Sequence, residues 1–314
     1  MKEETRRPDH RKDGRYEALV ARVNADVGAL PAPTGAPRRP VVFVVGVPRA
    51  GTTLTYQLLA ATGAFGYPSN VVARFWRRPG HGARVQRLLE PLLGPPTISY
   101  RSVAGRTETW ADPHEFGYFF EAHLPFADDH EPTASALGAV HADAFVAELA
   151  DFEDGAARPL LFKNGLLDFI VPWLAATLPT ARFVHVRRPA LDNAASLLAI
   201  RERYYGDDRA WFSVRPRGAD GWRDQPGPEQ VAWQIERVRV ALDRARDALP
   251  GRWTDLDYAD VCADPRGAAR AALRDVGVDG DTDGLPERFD APERALDPDR
   301  RRALEQALSA RGLR

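Results

Sequence analysis

A short glycine-containing segment has the residue types of a phosphate-binding loop. Residues 46–53 read GVPRAGTT and follow an apolar run at 41–45. Their spacing is that of the pattern G-x-x-x-x-G-K-[ST], with Thr52 in the lysine position. Backbone amides of such a loop, at the positive end of the next helix, can hold a phosphate without the lysine. The segment therefore predicts anion binding and argues against ATP hydrolysis, which needs that lysine on the β- and γ-phosphates.

A second candidate anion site follows another predicted strand. The stretch FVHVRRPALDNAAS places Arg188 at the end of the strand, and Ser196 lies eight positions later in a helix that Pro189 can begin. A guanidinium and a hydroxyl group at this spacing can share the oxygens of one phosphate. Taken alone, Arg187 and Arg188 could equally be surface charges. Together with the first loop they predict a ligand that is phosphorylated at two positions.

Lysine is rare in this chain. Lys163 is the only lysine after residue 12, and the other basic residues of that region are all arginine. Lys163 is either a chance survivor of biased codon usage or the mark of a site that needs a compact ammonium group.

The acid–base candidates lie in the stretch TETWADPHEFGYFFEAHLP. His114 and Glu115 precede an aromatic run, and His123 is a third, weaker candidate. Apolar surroundings can raise the pKa of Glu115, and histidine titrates near neutral pH without adjustment. Each group could instead be a solvated loop charge or a helix cap. We favour Glu115, because His114 directly follows Pro113 and suits the turn that begins the aromatic run.

The elements that must position these residues alternate between strand and helix. Apolar runs predict strands at 41–45, 159–163, 182–186 and 253–258. The candidate phosphate loop, Lys163 and Arg188 lie at or near the carboxyl ends of these runs. Helical apolar spacing follows the first three strands, at 54–59, 166–178 and 191–200. A further, long helix behind Pro228 is predicted by apolar residues at 231, 235, 238, 242, 245 and 249. The chain is therefore predicted to be α/β, with a P-loop-like parallel sheet flanked by helices.

The predicted organisation is one large domain with two flanking segments. Residues 1–39 carry a short helix at 16–27 and a Pro-rich stretch, and we interpret them as an N-terminal arm. The domain covers 40–280, and residues 281–314 form a C-terminal segment with a helix. Within the domain, residues 65–158 show no clear apolar period after a helix at 83–93. We interpret them as a helical and loop insertion on the substrate side.

Composition excludes several classes of protein. The chain has 314 residues, 44% hydrophobic and 28% charged, with a formal net charge of −1. These values are typical of a globular protein and argue against disorder and against a dedicated nucleic-acid binder. The single cysteine, Cys262, excludes an intramolecular disulfide or a multi-cysteine zinc site and suggests a small buried side chain. The polar start and the short apolar runs favour a cytoplasmic protein without a membrane span.

The two anion motifs together resemble those of the sulfotransferases that use 3′-phosphoadenosine 5′-phosphosulfate (PAPS). Residues 48–53, PRAGTT, match the family's 5′-phosphosulfate loop P-[KR]-[SA]-G-T-T. The resemblance implies that Arg49 contacts the 5′-phosphate and the bridging oxygen, while Ala50, Gly51, Thr52 and Thr53 hold the phosphate. It also implies that Arg188 and Ser196 bind the 3′-phosphate. The arginine in the loop is typical of bacterial members and of the tyrosylprotein sulfotransferases.

The other signatures of the family are matched less closely. The segment 256–261, LDYADV, is similar to the family's Y-E-D-[LM], which would place Tyr258 near the nucleotide, although Tyr258 could equally be strand core. Lys163 resembles the lysine that the family carries before its catalytic segment. The catalytic base of the family is not matched in this sequence. Gly165 stands where cytosolic members have a histidine, and Ser69 and Asn70 stand where tyrosylprotein members have a glutamate.

The resemblance implies an enzyme that moves a sulfuryl group from PAPS to a hydroxyl or amine, without a metal. The acceptor would be a small molecule, a glycan or a lipid. Two alternatives stay open. A P-loop small-molecule kinase is disfavoured by Thr52 and by the lack of a recognisable magnesium-binding strand. A non-catalytic nucleotide-binding protein is kept open by the missing inherited base.

Overall fold

The computed structural model describes residues 13–94, 96–103, 106–290 and 296–313. Its centre is a four-stranded parallel sheet in the order β4-β1-β5-β6. The strands are β1 (Val41–Val45), β4 (Leu160–Lys163), β5 (Ala181–Arg187) and β6 (Trp253–Asp257). A separate antiparallel hairpin is formed by β2 (Ser102–Val103) and β3 (Arg106–Thr107). The predicted α/β fold is therefore confirmed.

Helices cover both faces of the parallel sheet. The α-helices found in the described residues are α1 (Gly14–Gly28), α2 (Thr52–Ala61), α3 (Pro79–Leu93), α4 (Gly117–His123), α5 (Ala134–Gly138), α6 (Ala142–Ala156), α7 (Val171–Thr177), α8 (Ala190–Tyr205), α9 (Gly227–Ala248), α10 (Tyr258–Ala263), α11 (Pro265–Val276) and α12 (Pro298–Ser309). Short 3₁₀ turns lie at Val72–Phe75, Gly165–Phe169 and Ala219–Trp222. Helices α2 and α11 pack on one face of the sheet, and α8 and α9 pack on the other.

The central strand β1 is buried on both sides. All five of its residues are buried, and successive side chains point to opposite faces. Phe43 lies in register with Phe162 and Phe183, and its ring centroid is 5.7 Å from each of theirs. Val42 and Val44 contribute to the core on the other face. This two-sided burial explains why the strand is a continuous apolar run rather than an alternating one.

The long helix predicted from its apolar period is confirmed as α9. It begins at Gly227, with Pro228 in the first turn, where a missing backbone N–H costs nothing. The residues of the predicted seam that are fully buried are Val231, Ile235, Val238, Leu242 and Ala245.

Two predicted elements are wrong in their bounds. The helix expected over 166–178 is divided into the 3₁₀ turn Gly165–Phe169 and α7, because Pro172 lacks an N–H and can only stand in the first turn of a new helix. The strand expected over 253–258 ends at Asp257, where its pairing with β5 ends. Tyr258 is the first residue of α10. The interpretation of Tyr258 as strand core is therefore wrong.

The insertion at 65–158 contains a helix that the sequence pattern did not reveal. Helix α6 buries an apolar face made of Phe145, Leu149 and Phe152. It also buries two carboxylates: Glu148 pairs with Arg78, and Glu153 accepts hydrogen bonds from the backbone amides of Arg38 and Arg39. The apolar residues of this face stand at helical steps of 4 and 3, but the period is short and charged residues that are also buried stand beside it.

The predicted N-terminal arm and C-terminal segment are described only in part. Residues 1–12 of the predicted arm and residues 291–295 and 314 of the C-terminal segment lie outside the described residues. The division into arm, domain, insertion and C-terminal segment stays a prediction. Cys262 is buried in α10, as expected. Within the described ranges, no helix combines the length and the apolarity that a transmembrane segment requires.

Candidate active site

The predicted phosphate loop turns sharply between β1 and α2. The backbone N–H of Ala50 donates to the carbonyl oxygen of Val47 at 2.9 Å, and Arg49 and Gly51 adopt left-handed φ angles of 70° and 103°. Gly51 is the N-cap of α2 and has no side chain to accept a hydrogen bond from the first-turn amides. Thr52 and Thr53 are the first two residues of the helix. Amides at such a helix start suit an anion.

Tyr258 packs directly against this loop. A Cβ atom at Gly51 would collide with the Tyr258 ring, so this position requires glycine for space as well as for its φ angle. The guanidinium carbon of Arg188 lies 4.7 Å from the centroid of the same ring. Burial raises the pKa of Tyr258 to about 12, so its hydroxyl is neutral at physiological pH. Tyr258 therefore contacts both the loop and the second anion motif.

The two anion motifs are joined by hydrogen bonds. Arg188 Nη1 donates to the carbonyl oxygen of Arg49 at 3.2 Å, and Arg49 Nε donates to Ser196 Oγ at 3.2 Å. The spacing predicted that Ser196 and Arg188 share an anion, whereas the structure places the Ser196 hydroxyl against Arg49. Arg188 Nε is buried and has no hydrogen-bond partner in the part of the chain that the structure describes. A buried N–H of this kind suits an anionic ligand.

A cavity of about 310 Å³ lies beside the loop at the carboxyl end of β5. Its walls include Val47, Ala50, Arg188 and Asn193. His185 also lines the cavity, and its Nδ1 atom lies 2.8 Å from Asp255 Oδ1. The hydrogen bond from His185 lowers the pKa of Asp255 to about 2, so this carboxylate stays ionised.

Lys163 and Glu115 form an ion pair at the carboxyl end of β4. Lys163 Nζ contacts Glu115 Oε1, and the side chains are 12% and 39% exposed. Lys163 lies in register with Val44 of β1, one residue before that strand ends and the phosphate loop follows. The carboxyl ends of parallel strands meet at one edge of a sheet, so the ion pair and the loop share that edge. The expectation from the sequence is that apolar groups surround Glu115. In the structure this side chain is ion-paired and partly exposed instead.

Two further side chains hold the backbone of His114 and Glu115, and neither was predicted from the sequence. Asn164 Nδ2 donates to the backbone carbonyl oxygen of Glu115 at 3.0 Å, and Asn164 Oδ1 accepts from the Leu166 N–H at 2.9 Å. The buried Tyr56 hydroxyl donates to the carbonyl oxygen of His114 at 3.4 Å. Asn164 could have been suspected, because asparagine is a preferred N-cap and directly follows Lys163.

The two histidine candidates have structural contacts of their own. His114 Nδ1 accepts a hydrogen bond from the Phe116 N–H at 2.9 Å, in the turn before α4. The His123 ring lies 4.8 Å from the ring centroid of Phe119 and 6.0 Å from that of Phe145. Burial lowers the pKa of His123. The structure thus brings Glu115 to Lys163 and uses one ring nitrogen of His114 to hold the turn.

The positions that carry a base in the resembling enzymes are occupied differently here. A Cβ atom at Gly165 would lie 2.9 Å from Cγ1 of Val214, so Val214 fills the space of a larger side chain. Ser69 Oγ donates to Gln86 Oε1 at 2.5 Å, and Asn70 Nδ2 donates to the carbonyl oxygen of Thr109 at 2.7 Å. No group of three or more His, Cys, Asp or Glu side chains among the described residues is placed to hold a metal ion.

The parallel sheet with a loop of this kind after β1 and cations at the ends of β4 and β5 defines a P-loop-like nucleotide-binding protein of the α/β class. The profile of the Sulfotransferase family matches residues 40–283. This chain belongs to the sulfotransferase family. The enzyme class implied by the resemblance, PAPS-dependent transfer of a sulfuryl group, is thereby confirmed, and the kinase is not favoured.

The chain is also similar to solved structures of bacterial sulfotransferases. Sulfotransferase STF9 from Mycobacterium avium aligns with a TM-score of 0.54 at 16% identity, over 98% of this chain and 78% of that chain. This likeness shows a common fold. Sulfotransferase STF1 from Mycobacterium tuberculosis H37Rv aligns with a TM-score of 0.49 at 19% identity, over 89% of this chain and 75% of that chain. No curated protein matches the chain significantly.

Proposed function

We propose that this sulfotransferase binds PAPS along the carboxyl ends of β1 and β5 and transfers its sulfuryl group to an acceptor held beside Glu115. The observation that carries this assignment is the Lys163–Glu115 ion pair, which stands at the same sheet edge as the phosphate loop. The ion pair combines a cation that can act on the sulfuryl donor with a carboxylate that can act on the sulfuryl acceptor. The structure supports these roles through position and contact.

The nucleotide is held by residues of the two anion motifs. The amides of residues 50–53 and the Arg49 side chain take the 5′-phosphate, at the uncapped start of α2. Arg188 takes the 3′-phosphate, which provides an acceptor for its buried Nε. The Ser196 hydroxyl oxygen accepts a hydrogen bond from Arg49 Nε and so supports the binding of both phosphates. Tyr258 packs between loop and Arg188 and shapes the nucleotide side of the site.

The chemistry needs one proton acceptor and two cations. PAPS supplies a sulfuryl group activated by a phosphate leaving group. Glu115 accepts the proton of the attacking hydroxyl or amine. Arg49 and Lys163 stabilise the negative charge that develops on the bridging oxygen, so the reaction proposed here needs no metal ion. Lys163 turns from the Glu115 carboxylate toward that charge, which leaves Glu115 free to take the proton.

The acceptor is a small molecule, a glycan or a lipid with a hydroxyl or an amine. The test is incubation of the purified protein with PAPS and a fractionated metabolite extract. Mass spectrometry should show formation of the bisphosphate 3′-phosphoadenosine 5′-phosphate (PAP) together with one extract component that has gained a sulfuryl group. The control is the same incubation with the Lys163→Ala variant. The proposal is contradicted if the wild-type protein consumes ATP in place of PAPS or forms the sulfated component no faster than that variant.

A further inference from the structure

Asp168 is a buried carboxyl group that the proposed reaction does not use. It lies in the 3₁₀ turn Gly165–Phe169 after β4 and is 1% exposed. Its Oδ1 atom accepts a hydrogen bond from the backbone N–H of Gly46 at 3.3 Å. Its Oδ2 atom is buried and has no hydrogen-bond partner among the described residues. Among the described residues the carboxyl group thus has a single hydrogen bond, and its donor is the first residue of the phosphate loop.

The surroundings favour the uncharged form of this group. The nearby cation, Lys163, is paired with Glu115 instead. Burial raises the pKa of Asp168 well above its usual value, although the hydrogen bond from Gly46 and the charge of Lys163 oppose that rise. An ionised carboxylate enclosed without a paired cation would cost far more than a neutral acid. Burial and the unpartnered Oδ2 atom thus both favour the uncharged acid.

Asp168 also bridges the two strand ends that carry the proposed chemistry. Gly46 is confined on two further sides, because a Cβ atom there would lie 2.8 Å from the Val186 carbonyl oxygen and 2.9 Å from Cγ2 of Thr52. On the β4 side, a Cβ atom at Gly165 would lie 3.8 Å from Asp168 Oδ2. The carboxyl group therefore touches the start of the loop with one oxygen and lies beside the segment that follows Lys163 with the other.

We propose that Asp168 is a positioning residue whose buried carboxyl group fixes the start of the phosphate loop relative to Lys163. The inference rests on the proposed function, because it assumes that the loop holds the nucleotide and that Lys163 acts on the transferred group. It predicts that Asp168 needs its hydrogen-bond acceptor and its size, but not its charge.

The test compares Asp168→Asn, which keeps a carbonyl oxygen for the Gly46 N–H, with Asp168→Leu, which keeps the branched skeleton of four side-chain heavy atoms and removes the acceptor. Binding of PAP is measured by calorimetry, and kcat and KM for PAPS are measured with an acceptor found by the extract assay. Asp168→Asn should change PAP affinity and kcat by less than about threefold, since the hydrogen bond is kept. Asp168→Leu should lower kcat by about 10²-fold, the effect of a displacement of roughly 1 Å in a reacting geometry.

A matched control separates positioning from stability. Glu148 is another buried carboxyl group with one unpartnered oxygen among the described residues, but it lies in α6 and pairs with Arg78. Glu148→Gln should lower the unfolding temperature and leave PAP affinity and kcat unchanged. If Asp168→Leu does not fold, Asp168→Asn decides alone: a loss of kcat of about tenfold or more would show that the charge is required and would overturn the proposal.

The remaining outcomes are also distinguishable. If the wild-type protein does not bind PAP, the proposed function itself fails. If the wild-type protein binds PAP and both Asp168 variants retain its affinity and its kcat, Asp168 does not position the loop. If Asp168→Leu shows only a lower unfolding temperature, like Glu148→Gln, its role is structural.

Discussion

The nucleotide side and the acceptor side of the site are built in different ways. On the nucleotide side, the residues that meet are each within a few positions of the end of a strand: Arg49 after β1, Arg188 after β5 and Tyr258 after β6. On the acceptor side, Lys163 ends β4, but its partner Glu115 comes from the insertion, 48 positions earlier in the chain. One side is thus formed by local segments of the sheet, and the other depends on how the insertion folds back on it.

The two sides also differ in charge. The nucleotide side has two arginines joined to each other and to a hydroxyl, with a buried Arg188 N–H that suits an anion. The acceptor side has one cation and one carboxylate in direct contact. An excess of cations suits anion binding, whereas a carboxylate and a cation together can supply a proton acceptor and a group that stabilises developing charge. Substitutions on the two sides should therefore separate nucleotide affinity from turnover.

The largest effect is expected for Glu115→Gln. The amide cannot accept the acceptor's proton, so turnover should fall by about 10²-fold or more, the usual contribution of a general base, while PAP affinity stays within the wild-type range. The control is His114→Asn, which should cost far less turnover, because His114 Nδ1 holds the turn before α4. A reversed order of the two variants would assign the base to His114.

Lys163→Ala should lower turnover by about 10²-fold, the scale seen when one electrostatic stabiliser is removed. PAP affinity should change less, because charge on the bridging oxygen builds mainly in the transition state. Single-turnover kinetics with PAPS, next to PAP calorimetry, separates the two quantities. Unchanged turnover would mean that the only lysine of the described chain has no catalytic role.

A smaller effect, now on the nucleotide side, is expected for Gly51→Ala. The new methyl group would collide with the Tyr258 ring, and alanine is strained at the backbone φ of 103° that Gly51 adopts. PAP affinity should therefore fall about tenfold. Gly63→Ala is a matched control, since Gly63 also has a positive φ, 68°, but has no atom within 4 Å of the new methyl group. It should lower the unfolding temperature without changing PAP affinity. Equal losses of affinity would show that the loop does not hold the nucleotide.

The smallest effect is expected for Asp255, whose carboxylate should contribute to the stability of the fold and lose that contribution at low pH. The folded-state pKa of Asp255 is about 2, below its ordinary value of 3.8, so its contribution is present above that value and is lost as the pH falls through about 4 to 2. Because the side chain is 26% exposed, the contribution should be at most about 1 kcal/mol. Thermal unfolding across this pH range should fall more steeply for the wild-type protein than for Asp255→Asn. Parallel curves would contradict the assignment.

The sequence predicted the sheet and the segments on the nucleotide side because both are local patterns. A buried parallel strand is a continuous apolar run, and the loop and Arg188 directly follow such runs. The candidate Glu115 was reached through residue chemistry, and no pattern could show its contact with Lys163. Position 258 was ambiguous because the strand's end depends on its pairing with β5.

The parts that were missed depend on tertiary contacts. Helix α6 was missed because it buries two charged residues, Glu148 with Arg78, which directly precedes α3, and Glu153 with backbone amides of the arm. Asp168 was unremarkable in the sequence, where an aspartate beside leucines predicts nothing about a loop residue 122 positions away. Asn164 followed a lysine of interest, but its bond to the Glu115 backbone exists only once the insertion has folded.

The central claim is that the nucleotide side recognises a ligand phosphorylated at both the 5′ and 3′ positions. The most direct test is calorimetric titration of the wild-type protein and Arg188→Ala with PAP and with AMP. Loss of a charge-assisted contact of roughly 1.5–3 kcal/mol should weaken PAP binding about tenfold or more, while AMP binding stays nearly unchanged. An equal loss of affinity for both ligands would contradict the claim that Arg188 binds the 3′-phosphate.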